Sequence, residues 1–203
     1  DCLKVCGANI GKNGKSYIVN SSSLSNPNTP LNCGNSGTTM RLLIGLLAGQ
    51  GIEAVLYGDT SLMKRPMDRI IEPLKKMGAD LDYTNNQILL KKSSIHGGTI
   101  SNPTPSAQVK SSIILAGLSG KGRTVLTESY STRDHTEKMI SFYSPNSVQS
   151  IGKEIAINPS ELEIKNMEIP GDTSKASFLI AYACLMPESD VVFENTLINP
   201  RRM

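Results

Sequence analysis

Apolar residues along this chain fall into two alternating textures. One is the dense run of Leu, Ile, Ala and Gly, as in Leu43-Ile44-Gly45-Leu46-Leu47-Ala48-Gly49, Ile113-Ile114-Leu115-Ala116-Gly117-Leu118-Ser119 and Ala176-Ser177-Phe178-Leu179-Ile180-Ala181-Tyr182-Ala183. The other is the short β-branched stretch that follows each run after a Gly or Pro turn: Glu53-Ala54-Val55-Leu56, Arg123-Thr124-Val125-Leu126 and Asp190-Val191-Val192-Phe193. Val55 and Val125 stand 70 positions apart, and Val125 and Val192 stand 67 apart. A second echo links Leu3-Lys4-Val5-Cys6-Gly7-Ala8-Asn9-Ile10 with Leu74-Lys75-Lys76-Met77-Gly78-Ala79-Asp80-Leu81, offset by 71. Short alternating segments follow each, Ser16–Val19 and Gln87–Leu90.

Each copy reads as a small-residue-rich helix, a turn, a strand, a second helix and further strands. Ala and Gly on nearly every face of the first helix suit burial between sheets better than a solvent-facing role. The pattern predicts one α/β domain over residues 1–203, built of three similar units, with helices inside and sheets outside. Leu3 and Val5 running into Cys6-Gly7 read as the last turn of a helix closed by a Gly cap. With Asp1 in place of a Met, and Asn199-Pro200-Arg201-Arg202-Met203 following an apparent strand, the expectation is a piece of a longer polypeptide.

Composition narrows the classes. The chain has 203 residues, 38% hydrophobic and 19% charged, which excludes disorder. It holds no uninterrupted apolar stretch of about 18 residues, the length needed to span a bilayer. A net charge of +3 and an aromatic content of 4% without Trp argue against nucleic acid. Cys2, Cys6, Cys33 and Cys184 lack metal-binding spacing, as do His96 and His135, and read as small buried hydrophobes in a reducing compartment. Any basic character that matters is therefore local.

Four junctions carry that character. Asn32-Cys33-Gly34-Asn35-Ser36-Gly37-Thr38-Thr39-Met40-Arg41 precedes the first buried helix, and its glycines and small polar residues suit either an anion or a simple Ser/Thr cap. Gly58-Asp59-Thr60-Ser61-Leu62-Met63-Lys64-Arg65-Pro66-Met67-Asp68-Arg69 puts Arg65 at a loop tip, with Pro66 in the first turn of the next helix. Pro105-Ser106-Ala107-Gln108-Val109-Lys110-Ser111-Ser112 offers Ser106 as a cap and places Lys110 near a helix N-terminus, where a bound anion would offset its charge. Ser131-Thr132-Arg133-Asp134-His135-Thr136-Glu137 admits a capping box of Asp134 with Glu137. Equivalent placement of Arg65, Lys110 and Arg133 predicts one anionic site at one end of the domain.

These motifs, in this order and through Pro170-Gly171-Asp172-Thr173-Ser174, resemble the EPSP synthase family of enolpyruvyl transferases. The resemblance runs nearly end to end and favours the branch carrying Ser-Ala-Gln-Val-Lys. It implies three βαβαββ units per domain and a two-domain enzyme of which residues 1–203 form most of the N-terminal, substrate-binding domain. The first βα segment and the second domain are then missing or barely begun. The implied reaction, EC 2.5.1.19, moves the enolpyruvyl group of phosphoenolpyruvate to the 5-hydroxyl of shikimate 3-phosphate, toward chorismate and the aromatic amino acids. It needs no cofactor or metal. By motif, Asn35, Gly37, Arg65 and Gln108 bind phosphoenolpyruvate; Ser106, Ala107, Gln108, Thr132 and Arg133 bind shikimate 3-phosphate.

The family's proton-transfer groups belong to motifs outside these residues, so the resemblance implies no catalytic residue here and an inactive isolated chain. A monomeric complete enzyme is implied, without nucleic-acid or membrane partners. Its place would be the cytoplasm, or a plastid if a leader precedes Asp1. Lys175 stands where relatives usually carry Ser, and Arg201-Arg202-Met203 departs from their Thr-Arg. Leu42 replaces one branch's Pro, which with Gly37 leaves the glyphosate response open. Two other readings remain. The sister transferase acting on UDP-N-acetylglucosamine usually has a Cys in the loop matching 58–65, and this loop has none. A non-catalytic anion-binding domain would use the repeat as scaffold alone.

Overall fold

The computed structural model describes residues 1–203 apart from 21, 22, 103, 164, 202 and 203. The Arg201-Arg202-Met203 departure thus falls largely outside the described residues. The chain divides into two compact units, Asp1–Glu163 and Ile164–Met203.

The first unit opens with a short helix, α1 (Cys2–Val5), and a hairpin, β1 (Asn9–Asn13) and β2 (Ser16–Asn20), before two copies of one motif. The first copy is β3 (Leu31–Asn32), α2 (Gly37–Gly49), β4 (Ala54–Tyr57), α3 (Thr60–Met63), α4 (Asp68–Lys76), β5 (Asp80–Thr84) and β6 (Gln87–Lys91). The second is β7 (Thr99–Asn102), α5 (Ala107–Ser119), β8 (Thr124–Glu128), α6 (His135–Tyr143), β9 (Val148–Ile151) and β10 (Glu154–Ile157). Both sheets have the same plan, β3-β4-β6-β5 and β7-β8-β10-β9. The first pair is parallel, because a helix carries the chain back across; the other pairings are antiparallel. These are two βαβαββ units, differing mainly in α3, a turn of helix that periodicity did not predict.

The α1 and α4 ends show how closely sequence echo becomes geometric echo. Gly7 and Gly78 take φ +93° and +96°. Each donates its N–H to a carbonyl three residues back, Lys4 at 3.0 Å and Lys75 at 2.9 Å. Ala8 and Ala79 then reach Leu3 and Leu74, at 2.9 and 3.0 Å. Both helices are stopped by the same left-handed cap, which favours Gly.

α2 and α5 pack against each other, each against strands of its own sheet. Their cores, Met40, Ile44 and Leu47 on one side and Val109, Ile113 and Ala116 on the other, are buried. Strand burial alternates in β4 and β6 of one sheet and in β7 and β8 of the other, so each sheet covers a helix with one face and turns the other outward. Helices inside and sheets outside therefore hold for this unit. The helices approach closely through small residues. A Cβ on Gly49 would lie 2.8 Å from the Ala116 carbonyl oxygen, and one on Gly45 would overlap the Ser112 carbonyl.

In the second unit α7 (Thr173–Leu185) forms where the third apolar run predicts it, capped by Asp172, whose carboxylate accepts from the Ser174 N–H at 2.9 Å. Two expectations differ there. Asp190–Phe193 forms no strand, and no residue of α7 is buried. A strand needs a partner edge, and only the single bridge Gly171–Thr196 is made among this unit's described residues. The cysteine reading holds for Cys2, Cys6 and Cys33, which are buried, while Cys184, on α7, is exposed. Burial, reinforced by Cys2 beside it, pushes the Cys33 thiol up to about 12.

Candidate active site

The loop before α2 and the loop after β4 meet. Ser36 caps α2, its hydroxyl accepting from the Thr39 N–H at 3.1 Å. Beside it Gly34, at φ +56°, turns the chain so that its carbonyl accepts from the Asp59 N–H at 2.9 Å. Asp59 caps α3 through the Leu62 N–H at 2.7 Å, and its other oxygen accepts from the Asn35 amide at 2.6 Å. The Asn35 carbonyl oxygen in turn accepts from the Arg65 guanidinium at 2.5 Å. Asp59 thus orients Asn35, and Asn35 orients Arg65.

Arg65 lies over the first turn of α2. Its Nη1 would be 3.1 Å from a Cβ on Gly37, and Arg41 Nη1 would be 3.5 Å from the same point. Arg41 donates to the Gln108 carbonyl oxygen across the α2–α5 contact, and the Gln108 amide donates to Thr38 Oγ1 at 2.7 Å. Neither α2 nor α5 carries an acidic residue in its first turn. Burial, then repulsion from Arg65 and Arg69, lowers the Arg41 pKa. Guanidinium groups gathered at a helix N-terminus repel one another, and an anion between them relieves that cost. The residue that sequence reading missed is Arg41. Its place one helical turn beyond Gly37 was the available signal.

The second loop pair is assembled differently. Ser106 caps α5 through the Val109 N–H at 3.4 Å, as the motif predicted. Ala107 sits in the first turn, its carbonyl accepting from the Ser111 hydroxyl at 2.8 Å. Lys110, however, is fully buried, its Nζ 2.7 Å from Glu137 Oε1 and 3.1 Å from Glu128 Oε2. The expectation that it contributes charge to an anion site is corrected. Two residues along a helix are about 200° around its axis, so Lys110 points opposite to Gln108. Its charge is compensated from within. The capping box fails for the same reason: Glu137 faces Lys110, and Asp134 makes no side-chain cap bond but pairs with Lys138 at 3.2 Å. Pro66 also lies just ahead of α4, in the link from α3, rather than in its first turn.

Thr132 lies on the same network, its hydroxyl donating to Glu128 Oε1 at 2.6 Å. Arg133, next in the loop, is exposed, and no side-chain bond holds it among the described residues. The structure therefore gathers Asn35, Gly37, Arg65 and Gln108 around the first turn of α2, with Arg41 bonded to Gln108 and beside Arg65 over Gly37. It holds the Thr132–Arg133 loop against the first turn of α5 through Lys110.

Asp59 carries a pH signature. The Leu62 N–H, then the Asn35 amide, hold its carboxyl below the usual carboxylate range. A depressed folded pKa means this contribution is present above the unfolded value, about 3.9, and is lost as pH falls through the lower folded value. We expect Asp59→Asn to be less stable than the unsubstituted protein at about pH 7 and the gap to narrow on approaching about pH 3. Urea midpoints across that range check it; a constant gap rejects it.

Repeated βαβαββ units with buried helices, whose N-terminal turns meet at a cluster of arginines, define an α/β repeat protein suited to an anion. The chain belongs to the EPSP synthase (3-phosphoshikimate 1-carboxyvinyltransferase) family, whose model matches residues 1–203. It is 43% identical over 212 residues to the 3-phosphoshikimate 1-carboxyvinyltransferase of Staphylococcus epidermidis strain RP62A, covering 100% of this chain and 48% of that protein. With the enzyme of that name from Bacillus subtilis strain 168 the identity is 35% over 209 residues, covering 100% and 49%. An EPSP synthase structure from Acinetobacter baumannii superposes with a TM-score of 0.87 at 36% identity, covering 98% of this chain and 47% of that one. The chain spans about half the length of the curated relatives it matches.

Proposed function

We propose that the complete protein carrying this chain transfers the enolpyruvyl group of phosphoenolpyruvate to the 5-hydroxyl of shikimate 3-phosphate, releasing phosphate. Residues 1–203 are then most of its N-terminal, substrate-binding domain, of a monomeric enzyme acting in the cytoplasm. The observation that carries this reading is the chain of contacts Asp59–Asn35–Arg65 and Arg41–Gln108–Thr38, which gathers two guanidiniums over the first turn of α2. Family membership supports it.

Both substrates are multiply anionic, so joining them requires fixed cations that offset their repulsion and align hydroxyl with enol carbon. In this assignment Arg65, with Asn35 behind it, takes phosphoenolpyruvate. Gly37 keeps the floor of that pocket free of a side chain, and Gln108 bridges the two ligands. Ser106 and Ala107, opening α5, take shikimate 3-phosphate, and Arg133 with Thr132 alongside takes its phosphate. No proton-transfer group is assigned here, and the isolated chain is expected to be inactive.

The test is phosphate release by the complete protein given phosphoenolpyruvate with either acceptor. Release with shikimate 3-phosphate and none with UDP-N-acetylglucosamine is the expected result. The reverse pattern would move the protein to the sister transferase, and silence with both would leave a binding domain.

A further inference from the structure

Lys110 has no place in the site as proposed, yet it is the largest fully buried side chain among the described residues. Its ammonium sits where four pieces of backbone meet: the first turn of α5, the end of β8 through Glu128, the Thr132 loop, and the first turn of α6 through Glu137. All three polar groups of Thr132 are held there. Its carbonyl accepts from Lys110 Nζ at 3.3 Å, its hydroxyl donates to Glu128 Oε1 at 2.6 Å, and its N–H donates to Glu128 Oε2 at 3.5 Å. A further bond, Ser111 Oγ to Thr136 Oγ1 at 2.6 Å, joins α5 to α6 beside it.

Stability alone is a poor reason for such a cluster, since well-packed apolar residues commonly replace buried ion pairs at no loss. What the cluster does is geometric. The Thr132 carbonyl belongs to the planar peptide that carries the nitrogen of Arg133. Holding that carbonyl fixes the plane from which Arg133 departs. The guanidinium itself stays exposed and outside the network. Gln108 and Lys110 share one helical turn but point opposite ways, so the turn that presents Ser106–Gln108 outward also anchors the Arg133 loop from within.

We propose that Lys110 is a positioning residue. Through Glu128, Glu137 and the Thr132 backbone, it sets Arg133 at the height needed to grip the phosphate of the acceptor bound at Ser106–Gln108. The inference rests on the assignment of Thr132 and Arg133 to shikimate 3-phosphate made above. It predicts an acceptor-selective defect. A general loosening of the fold would instead affect both substrates.

The experiment compares Lys110→Met, Arg133→Ala and the double variant in the complete protein, with KM for each substrate and a urea midpoint for each. Lys110→Met is expected to raise the KM for shikimate 3-phosphate about tenfold, leaving that for phosphoenolpyruvate within about twofold. The double variant is expected within about twofold of Arg133→Ala alone, because both changes disable one grip. If Lys110→Met shows no cooperative unfolding, Glu137→Gln, which keeps the shape and removes one carboxylate charge, replaces it in the cycle. It is expected to raise the same KM about threefold, again without adding to Arg133→Ala. A folded variant with unchanged acceptor KM, or effects that simply multiply, overturns the inference while a large Arg133→Ala effect leaves the functional reading standing. An Arg133→Ala protein with unchanged acceptor KM overturns both.

Discussion

Arg65→Ala in the complete protein is expected to raise the KM for phosphoenolpyruvate on the order of 10²- to 10³-fold, equivalent to about 2.7–4 kcal/mol of lost transition-state stabilisation in kcat/KM. The size follows from what the guanidinium does at its place. It lies over the N-terminal turn of α2 beside Gly37, oriented by Asn35, with Arg41 close by. Removing one partner of a desolvated charge pair commonly costs about 2–5 kcal/mol, much of it the penalty left on the other charge. Arg65 is only half-buried, so folding should be little affected. Kinetics with phosphoenolpyruvate varied at saturating shikimate 3-phosphate read the effect directly. A KM within twofold of the original (about 0.4 kcal/mol) would remove Arg65 from the site. Asp59→Asn, which acts through Asn35, should weaken the same KM in the same direction.

The second large effect concerns the scaffold. Helix propensity predicts that Gly45→Ala, inside α2, stabilises by about 1 kcal/mol. Packing predicts the opposite sign. A Cβ at Gly45 would overlap the Ser112 carbonyl, and one turn on, a Cβ at Gly49 would lie only 2.8 Å from the Ala116 carbonyl oxygen. Backbone cannot step aside as a side-chain tip can, so the two buried helices must separate along their length. Overpacking of this kind costs about 1–3 kcal/mol, and we expect Gly45→Ala near the top of that range and Gly45→Val beyond it. Urea unfolding of the complete protein measures both, and a stabilised Gly45→Ala would show that the helices are not in close contact. Since Arg41 on α2 meets Gln108 on α5, the separation should also weaken binding.

The difference between these two cases shows which parts of the molecule a reader of the sequence can reach. The repeat was legible because identical local physics recurs at a fixed offset. Gly7 and Gly78 close their helices with the same cap, and Ser36 and Ser106 start the two buried helices in the same way. Ser16–Val19 and Gln87–Leu90 alternate as strands and are strands. The anion-site motifs were legible as a set, through residue types that suit phosphate and through likeness to a family.

Lys110 was misread because its charge was visible and its direction was not. Nothing local distinguishes a lysine that faces a ligand from one that turns inward to two glutamates arriving from 18 and 27 positions downstream. Glu137 was misread with it, as half of a capping box. Arg41 escaped attention for the complementary reason: its partner Gln108 is 67 positions away. The third expected strand, at Asp190–Phe193, had the right composition, but strand formation depends on a neighbouring edge as well as on the segment.

Alternation, cap residues and glycines act within a few positions, so the sequence by itself settled most elements of residues 1–163, the first two copies of the repeat and the family. Side-chain partnership across the α2–α5 contact and around Lys110 depends on helix rotation and on distances between remote segments. Only the tertiary structure could decide which cations face outward and which are neutralised inside, because a charge acts through what surrounds it, and those surroundings come from elsewhere in the chain.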